Sequence, residues 1–490
     1  MNEPSATALL LLIGGLLLTI SVLASRWAVR RGVPLALLFL LIGMLAGRDG
    51  IGGLTFDDYS LTFRVGTVAL VLILFDGGLN TPFRFIRSSI LPASVLATVG
   101  VVLTAGLVAT AAALSGLLSW PHAILLGAVV SSTDAAAVFS VLRGSNLNLR
   151  KRTSNTLELE SGLNDPMAVI LTIAAATAVA NDVFIGWTTA VHAFIQLAVG
   201  AAAGIAAGFT CRSILAHARF ISAGLYPVLT VALAMLTFAI PSLMWGSGFL
   251  AVYIAAVIIG NGAVPHQSML RRVHDALAWF SQVGLFLLMG LLVNPRELLE
   301  VGWWGLFLAL FLAIIARPVA VWLCLLPFKY TWRETTFLGW VGLRGAVPIL
   351  LATIPVMHGV PHSHFIFNIV FFIVVINAIL PGMTVGWFTH RLGLKAFAPP
   401  TPSAVLEIDA LESFSKQVRS FFIHDVAPVV GTRIADIPFP DDTSALMIVR
   451  GSDLITPKGA TIILAGDHVY VLCQERDITL LQLMMGTPEE

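Results

Sequence analysis

The sequence predicts a polytopic all-α membrane protein of about thirteen spans, with broken helices in inverted repeats, followed by a small cytoplasmic α+β domain. Three observations carry this expectation: the composition, a succession of apolar runs of membrane-spanning length, and a change of character after residue 395. Of 490 residues, 57% are hydrophobic and 11% charged, with 42 glycines and a mean hydropathy of +0.91. Soluble domains carry about a quarter charged residues, so this balance belongs to a chain with many lipid-facing segments. A net charge of +1 lacks the strongly basic footprint of a nucleic-acid binder. Cys211, Cys324 and Cys473 are far apart and form no CxxC pair, so neither a disulfide nor a zinc site is expected.

A membrane helix needs about 20 mostly apolar residues. The runs between charged or turn-forming breaks are 5–25, 32–48, 63–81, 90–118, 122–142, 156–180, 184–211, 222–241, 246–262, 276–293, 301–326, 335–356 and 365–388. The first run follows Met1-Asn2-Glu3-Pro4-Ser5, which has no basic n-region, and is expected to remain as a helix. Lysine and arginine accumulate in cytoplasmic loops. One alternate set of loops holds Arg26, Arg30 and Arg31; Arg84 and Arg87; Arg143, Arg150, Lys151 and Arg152; Arg212 and Arg219; Arg271 and Arg272; Lys329 and Arg333; and Arg391 and Lys395. The other set holds only Arg48, Arg64 and Arg296, together with acids such as Asp49, Asp182 and Glu297. A split of seventeen against three supports the odd count, an external N-terminus and a cytoplasmic C-terminus. Gly200, Gly204 and Gly208, spaced by four in the seventh run, permit close helix packing, at an internal or a dimer interface.

The expected organisation is a transmembrane domain at 1–395, a linker at 396–415 containing Ala398-Pro399-Pro400-Thr401-Pro402, and a soluble domain at 416–490. In the tail, 417–424, 444–449, 460–464 and 468–473 read as strands. Residues 431–436 read as a helical turn and 475–485 as a closing helix. No GxGxxG follows a strand, so no Rossmann unit is expected; a nucleotide or cyclic dinucleotide is the candidate ligand of a dimeric tail. An excess of acids beyond residue 391 disfavours anionic lipid or nucleic acid as the tail's partner.

Ionisable groups within spans are functional hypotheses by default. They are Asp76, Asp134, Glu158, Glu160, Asp165, Arg317 and Arg344, with Glu158 near a span end. A buried acid–arginine pair that merely orients helices is an equal alternative for any lone acid. The cluster shifts that balance. Segment five contains Ser131-Ser132-Thr133-Asp134, and segment six contains Glu160-Ser161-Gly162-Leu163-Asn164-Asp165-Pro166. Glu160 and Asn164 share a helix face, as do Ser161 and Asp165. Pro166 is expected to loosen its helix, and the polar run before Asp134 to break segment five. Segment twelve supplies a counterpart in Gly342-Leu343-Arg344-Gly345-Ala346. Paired interruptions suggest inverted repeats, segments 4–6 and 11–13, around a midplane site. Arg344 is expected to neutralise half-helix ends or to pair with Glu160.

Desolvation in a narrow cavity favours the neutral carboxylic acid, so near neutral pH a proton and a small cation compete for one carboxylate. Hard alkali cations prefer the oxygen ligands gathered here. The chemistry expected is antiport without ATP. Two rivals stand beside it. A ligand-gated cation channel would need a filter loop of the TVGYG kind, and an intramembrane hydrolase would use Asp134 and Asp165 as an acid pair. His358, His362 and His364 lack nearby acids and read as solvated loop histidines rather than a metal site.

Thr133-Asp134, Glu160-Ser161 with Asn164-Asp165-Pro166, and Gly342-Leu343-Arg344-Gly345-Ala346 resemble the NhaP-type monovalent cation:proton antiporters over residues 5–390, and the tail from about Lys416 resembles an RCK-C (TrkA-C) domain. The pairing is most similar to potassium/proton antiporters of the bacterial inner membrane. The resemblance implies the NhaA/NapA-like antiporter fold and a homodimer with elevator-like core movement. It implies electroneutral exchange of K+, or alternatively Na+ or Li+, for H+, and no enzyme activity or cofactor. It further implies that Asp165 binds ion and proton, with Asn164, Asp134, Thr133, Ser161 and Glu160 coordinating or surrounding the ion. Arg344, Arg317 and Asp76 are left as core charges, the last two as a second pair.

Overall fold

The computed structural model describes residues 3–144, 147–181, 186–396, 416–425, 427–451, 453–486 and 488–489. Most of the expected linker, including 398–402, and Asp182 lie outside these residues. The chain divides into two compact units, Met1–Ala396 and Phe397–Glu490.

The first unit is helical. It opens with α1 (Glu3–Arg30), α2 (Leu35–Ala46) and α3 (Tyr59–Leu79). The helices α4 (Phe83–Val95) and α5 (Val101–Leu114) flank a π-helical segment at Leu96–Gly100. Next come two half-helices, α6 (Trp120–Val129) and α7 (Ala135–Gly144), the short strand β1 (Asn148–Leu149) and the long helix α8 (Lys151–Ala180). Four helices follow: α9 (Trp187–His217), α10 (Leu225–Leu243), α11 (Gly248–Gly260) and α12 (Gln267–Leu292). After the short α13 (Pro295–Glu300) the earlier sequence of shapes recurs. The helices α14 (Gly302–Phe311) and α15 (Arg317–Leu325) flank a π-helical Leu312–Ala316, the half-helices α16 (Trp332–Trp340) and α17 (Ala346–Met357) follow, and then the long α18 (Ser363–Arg391) and β2 (Lys395–Ala396). The strands β1 and β2 pair antiparallel.

Among the described residues, nine helices are long and apolar enough to cross a membrane, and four shorter apolar helices accompany them, namely α2, α6, α11 and α17. Local chemistry sets many boundaries. Asp58 caps α3 through Leu61 N at 2.8 Å. Thr331 and Glu334 form a capping box at α16, satisfying donors that would otherwise be orphaned. Just after the second π segment, Pro318 cannot donate to the turn before it. The α6–α7 break falls on residues 130–134, where Ser131 Oγ instead bonds its own chain at Ala128 O, 2.7 Å away, in competition with the helix ladder.

Among the helices one expectation is corrected. Pro166 does not interrupt its helix: α8 runs unbroken through it, held by α4, α6, α11 and α17 on several sides. Of the two interfaces expected for the glycine stripe 200/204/208 the internal one is found, because a Cβ at these positions would meet Ser247, Ala251 and Ile258, which belong to α11 or its cap. Gly43 and Gly290 allow the same close approach between α2 and α12.

The second unit is a five-stranded antiparallel sheet in the order β5-β4-β6-β3-β7. Its strands are β3 (Lys416–Phe422), β4 (Ser444–Arg450), β5 (Asp453–Ile455), β6 (Asp467–Gln474) and β7 (Pro488–Glu489), with helix α19 at Ile478–Met485. Phe421, Ile423, Ile448, Val469, Val471, Leu481 and Met485 form its core. The expected strand at 460–464 is absent; that stretch makes one isolated bridge, Arg433 to Ile462. Its backbone is committed instead to the 431–434 turn, through Gly431 N to Ile463 O and Ile434 N to Thr461 O. Arg450 and Asp467 form a two-pronged ion pair at 2.7 and 2.8 Å. This pair holds the Arg450 guanidinium above its ordinary pKa, and Asp467 also accepts Leu464 N at 2.9 Å.

Candidate functional site

The two helix breaks cross. Asp134 N donates to Leu343 O at 2.8 Å, tying the extended residues between α6 and α7 to those between α16 and α17. Arg344 Nη1 donates to Ser131 O at 2.7 Å and also to Ser132 O. The C-terminal end of α6 carries a partial negative charge, which this buried guanidinium neutralises. Asp134 meets two positive ends. Its Oδ1 accepts Ala137 N at 3.3 Å, at the start of α7. A Cβ added to Gly345, at the start of α17, would run into the same carboxylate. Gly345→Ala is therefore expected to displace Asp134 and lower exchange by more than tenfold. The accompanying thermal cost should be modest, about 1–3 kcal/mol as for other overpacked sites, and paired transport and melting measurements check both.

Helix α8 presents two faces to this crossing. Ser154, Glu158, Ser161, Gly162 and Asp165 line a cavity of about 550 Å³; their spacing is that of one helical stripe. Asp134, Asp76, Asn80, Tyr253, Asp275 and Gln282 complete its polar wall. Asp165 is 6% exposed, and among the described residues no hydrogen bond to its carboxylate is found. Ser161 Oγ donates to Thr133 O at 3.1 Å and accepts Ala135 N at 3.1 Å, fastening α8 to the first break. Asn164 stands behind the cavity wall. Its Nδ2 donates to Thr133 Oγ1 and lies 3.4 Å from Thr133 O, while its Oδ1 is buried with no hydrogen-bond partner among the described residues.

Arg344 takes the first of its two expected roles, at a half-helix end, and leaves Glu160 to another partner. Glu160 binds Arg317, with Nη1 to Oε1 at 2.6 Å and both side chains buried, and not Arg344. Five residues along an α-helix turn the chain through about 140°, so Glu160 points away from the cavity that Asp165 faces. Expected among the ion-surrounding groups, it is not among the residues that line that cavity and is paired with Arg317 instead. Arg317 lies beneath Gly342, where a Cβ would meet its Nε and Cγ. Each arginine thus secures one break. Asp76 makes no ion pair with Arg317 among the described residues; it accepts Asn80 Nδ2 at 3.1 Å and faces the cavity.

Asp275, a further polar residue of the cavity wall, lies one residue before the apolar run 276–293, where hydropathy does not count it within a span. The helix extends back to Gln267, and Asp275 and Gln282, seven residues apart, form a polar stripe that periodicity exposes. Of the loop histidines, His358 Nδ1 meets Ile354 O, His364 Nδ1 meets Tyr59 Oη, and His362 faces the His122 ring.

A family model described as sodium/hydrogen exchanger, transmembrane, matches residues 15–391, and the TrkA-C domain model matches 418–486. The K(+)/H(+) antiporter NhaP of Alkalimonas amylolytica is 39% identical over 98% of this chain and 84% of its own length. The K(+)/H(+) antiporter NhaP2 of Shewanella oneidensis is 38% identical over 98% and 83%. The Na(+)/H(+) antiporter ApNhaP of Aphanothece halophytica is 28% identical over 74% and 70%. Among solved structures, the sodium proton antiporter MjNhaP1 of Methanocaldococcus jannaschii has the same fold, with a TM-score of 0.68 at 23% identity over 78% of this chain and 99% of that one. These relatives are transporters rather than enzymes. This multi-pass helical membrane protein belongs to the sodium/hydrogen exchanger family and carries a TrkA-C domain.

Proposed function

We propose that the chain exchanges cytoplasmic K+ for H+, both ions competing for Asp165. The observation that carries this reading is the placement of Asp165: a buried carboxylate with no hydrogen bond found among the described residues, lining a cavity with Asp134 and Ser161. Asp134, fixed between two half-helix N-termini, completes the oxygen set with Ser161, while Thr133 and Asn164 hold the break behind it. The names of the NhaP and NhaP2 relatives favour K+. A Na+/H+ reading is the alternative, favoured by the names of the Aphanothece and Methanocaldococcus proteins.

In this reading the long and short apolar helices together make thirteen spans. The order π-interrupted helix, broken helix, long helix occurs at 83–180 and again at 302–391, which supports an inverted repeat. Asn80, Ser154 and Asp275 line the cavity next to the arginine-rich loops, so the site opens to the cytoplasm, with the N-terminus outside and the protein in a bacterial inner membrane. The active form is a homodimer whose core moves as an elevator and exchanges ions one for one. Residues 416–490, after a linker at 396–415, act as a cytoplasmic regulator, with a nucleotide or cyclic dinucleotide as its class of ligand.

The test is dequenching of a pH dye in sealed proteoliposomes under an imposed pH gradient, with K+, Na+ and Li+ added in turn. K+ is expected to give the largest signal; a response confined to Na+ and Li+ would replace the substrate, and ion flux far above proton counterflow would replace antiport by a channel. A chain ending at Lys395 should retain basal exchange with altered pH dependence. Loss of all transport in a stable, truncated dimer would contradict a purely regulatory tail.

A further inference from the structure

Among the helices that bound the cation cavity, α3 and α17 each turn a single stripe toward it. On α3, Leu70 and Gly77 line the cavity, and Gly66 and Tyr59 continue the same face toward the helix start; steps of seven, four and seven residues return to one side of a helix. On α17, Ala346 lines the cavity, and Leu350 and Met357 follow on that face. Beyond the cavity the two stripes meet. A Cβ at Gly66 would lie 2.5 Å from Leu350 Cδ1 and 3.2 Å from Leu285 Cδ1, and Leu285 also lines the cavity. Leu350, only 1% exposed, thus sits as a plug at the cavity's end.

Past the plug the seam continues to the start of α3. Ser60 Oγ donates to Met357 Sδ at 3.9 Å, and the Tyr59 ring meets the rings of His364 and Phe367 on α18 edge-on, each at 5.5 Å. Among the described residues no backbone hydrogen bond joins α3 to α17 or α18. Neighbouring helix pairs are joined more closely. A Cβ at Gly78 of α3 would run into Tyr253 O and Val257 N of α11, and one at Gly290 of α12 into Gly43 Cα of α2, so these helices touch backbone to backbone. At Gly66 only side-chain tips intrude. Such tips part by rotamer changes, whereas parting two backbones gives up close packing along whole helices. The seam of α3 with α17 and α18 is the weaker joint.

We propose that the second mouth of the exchange pathway opens along this seam, with Leu350 withdrawn from the notch at Gly66. Given the exchange reading on which this rests, an ion taken up at Asp165 from one side leaves on the other only when a closed end opens. Glycine at position 66 lets Leu350 seat, and Leu350 leaves the notch each time the site changes sides.

The experiment cross-links the seam of the full chain in proteoliposomes. Gly66→Cys with Leu350→Cys brings two thiols together at the notch, while the native Cys211, Cys324 and Cys473 are buried. Oxidation with copper phenanthroline is expected to lower cation-dependent proton flux at least tenfold and dithiothreitol to restore it, and either single variant should keep its flux in oxidant. A short bifunctional thiol reagent across Ser60→Cys and Met357→Cys, which leaves the notch intact, should act in the same way. Gly208→Cys with Ile258→Cys, across the α9–α11 contact, should oxidise with no loss relative to its own reduced form. Exchange near the reduced rate in both seam pairs, with the cross-links confirmed by mass spectrometry, would overturn the proposal. So would an equal loss in the α9–α11 pair, which would deny the seam any special part. A native chain that shows no exchange at all would instead remove the exchange reading, and the proposed opening with it.

Discussion

Asp165→Asn is expected to abolish cation-dependent proton flux while the chain melts no lower than the native protein. Asparagine keeps the side chain's shape but neither releases a proton nor supplies a full negative charge to the cation. The stability half of the expectation follows from the surroundings. Asp165 is buried, no hydrogen bond to its carboxylate is found among the described residues, and it faces the cavity with the like-charged Asp134. Removing its charge lifts both a desolvation cost and a repulsion. A structural acid would behave in the opposite way, with stability lost alongside activity. Vesicle flux and thermal melting of the same preparation therefore check the assignment together, and residual exchange near the native rate would refute it.

Breaking the Glu160–Arg317 pair is expected to cost the most stability. Beyond the 2.6 Å ion pair, both carboxylate oxygens of Glu160 and Nε and Nη2 of Arg317 are buried without hydrogen bonds among the described residues. Either Glu160→Ala or Arg317→Ala then strands a bare charge in an apolar interior, at about 3–5 kcal/mol. Glu160→Leu combined with Arg317→Met removes both charges and should recover much of that loss. Melting of the four chains gives the coupling directly, and additive losses would show that the two residues do not act as a pair. Exchange by the double variant, where it folds, should persist, since neither residue lines the cation cavity.

Apolar run length and loop arginines made the helical membrane class legible in the sequence, and the small polar residues of 131–134 and the glycines of 342–345 marked both breaks. Partner choice among buried charges was less legible. Glu160 and Asp165 stand five residues apart and looked like members of one cluster, yet helical rotation sends them to opposite faces of α8. Arg317 and Arg344 are both single arginines in apolar runs, and only the crossing of the two breaks assigns one to Glu160 and the other to the carbonyls of Ser131 and Ser132. Asp275 was missed for a related reason: hydropathy starts a span at its first apolar residue, whereas the α12 helix begins two turns earlier. In the tail, 460–464 has the residues of a strand, but its backbone bonds are taken by a turn.

The central claim is that one carboxylate serves two ions. The most direct measurement is the concentration of K+ that gives half-maximal exchange in proteoliposomes, taken at a series of pH values with the native chain. Competition at Asp165 predicts that this concentration rises steadily as pH falls while the maximal rate at saturating K+ stays constant. A half-maximal concentration that does not move with pH, with the maximal rate falling instead, would place proton and cation on separate groups and contradict the account.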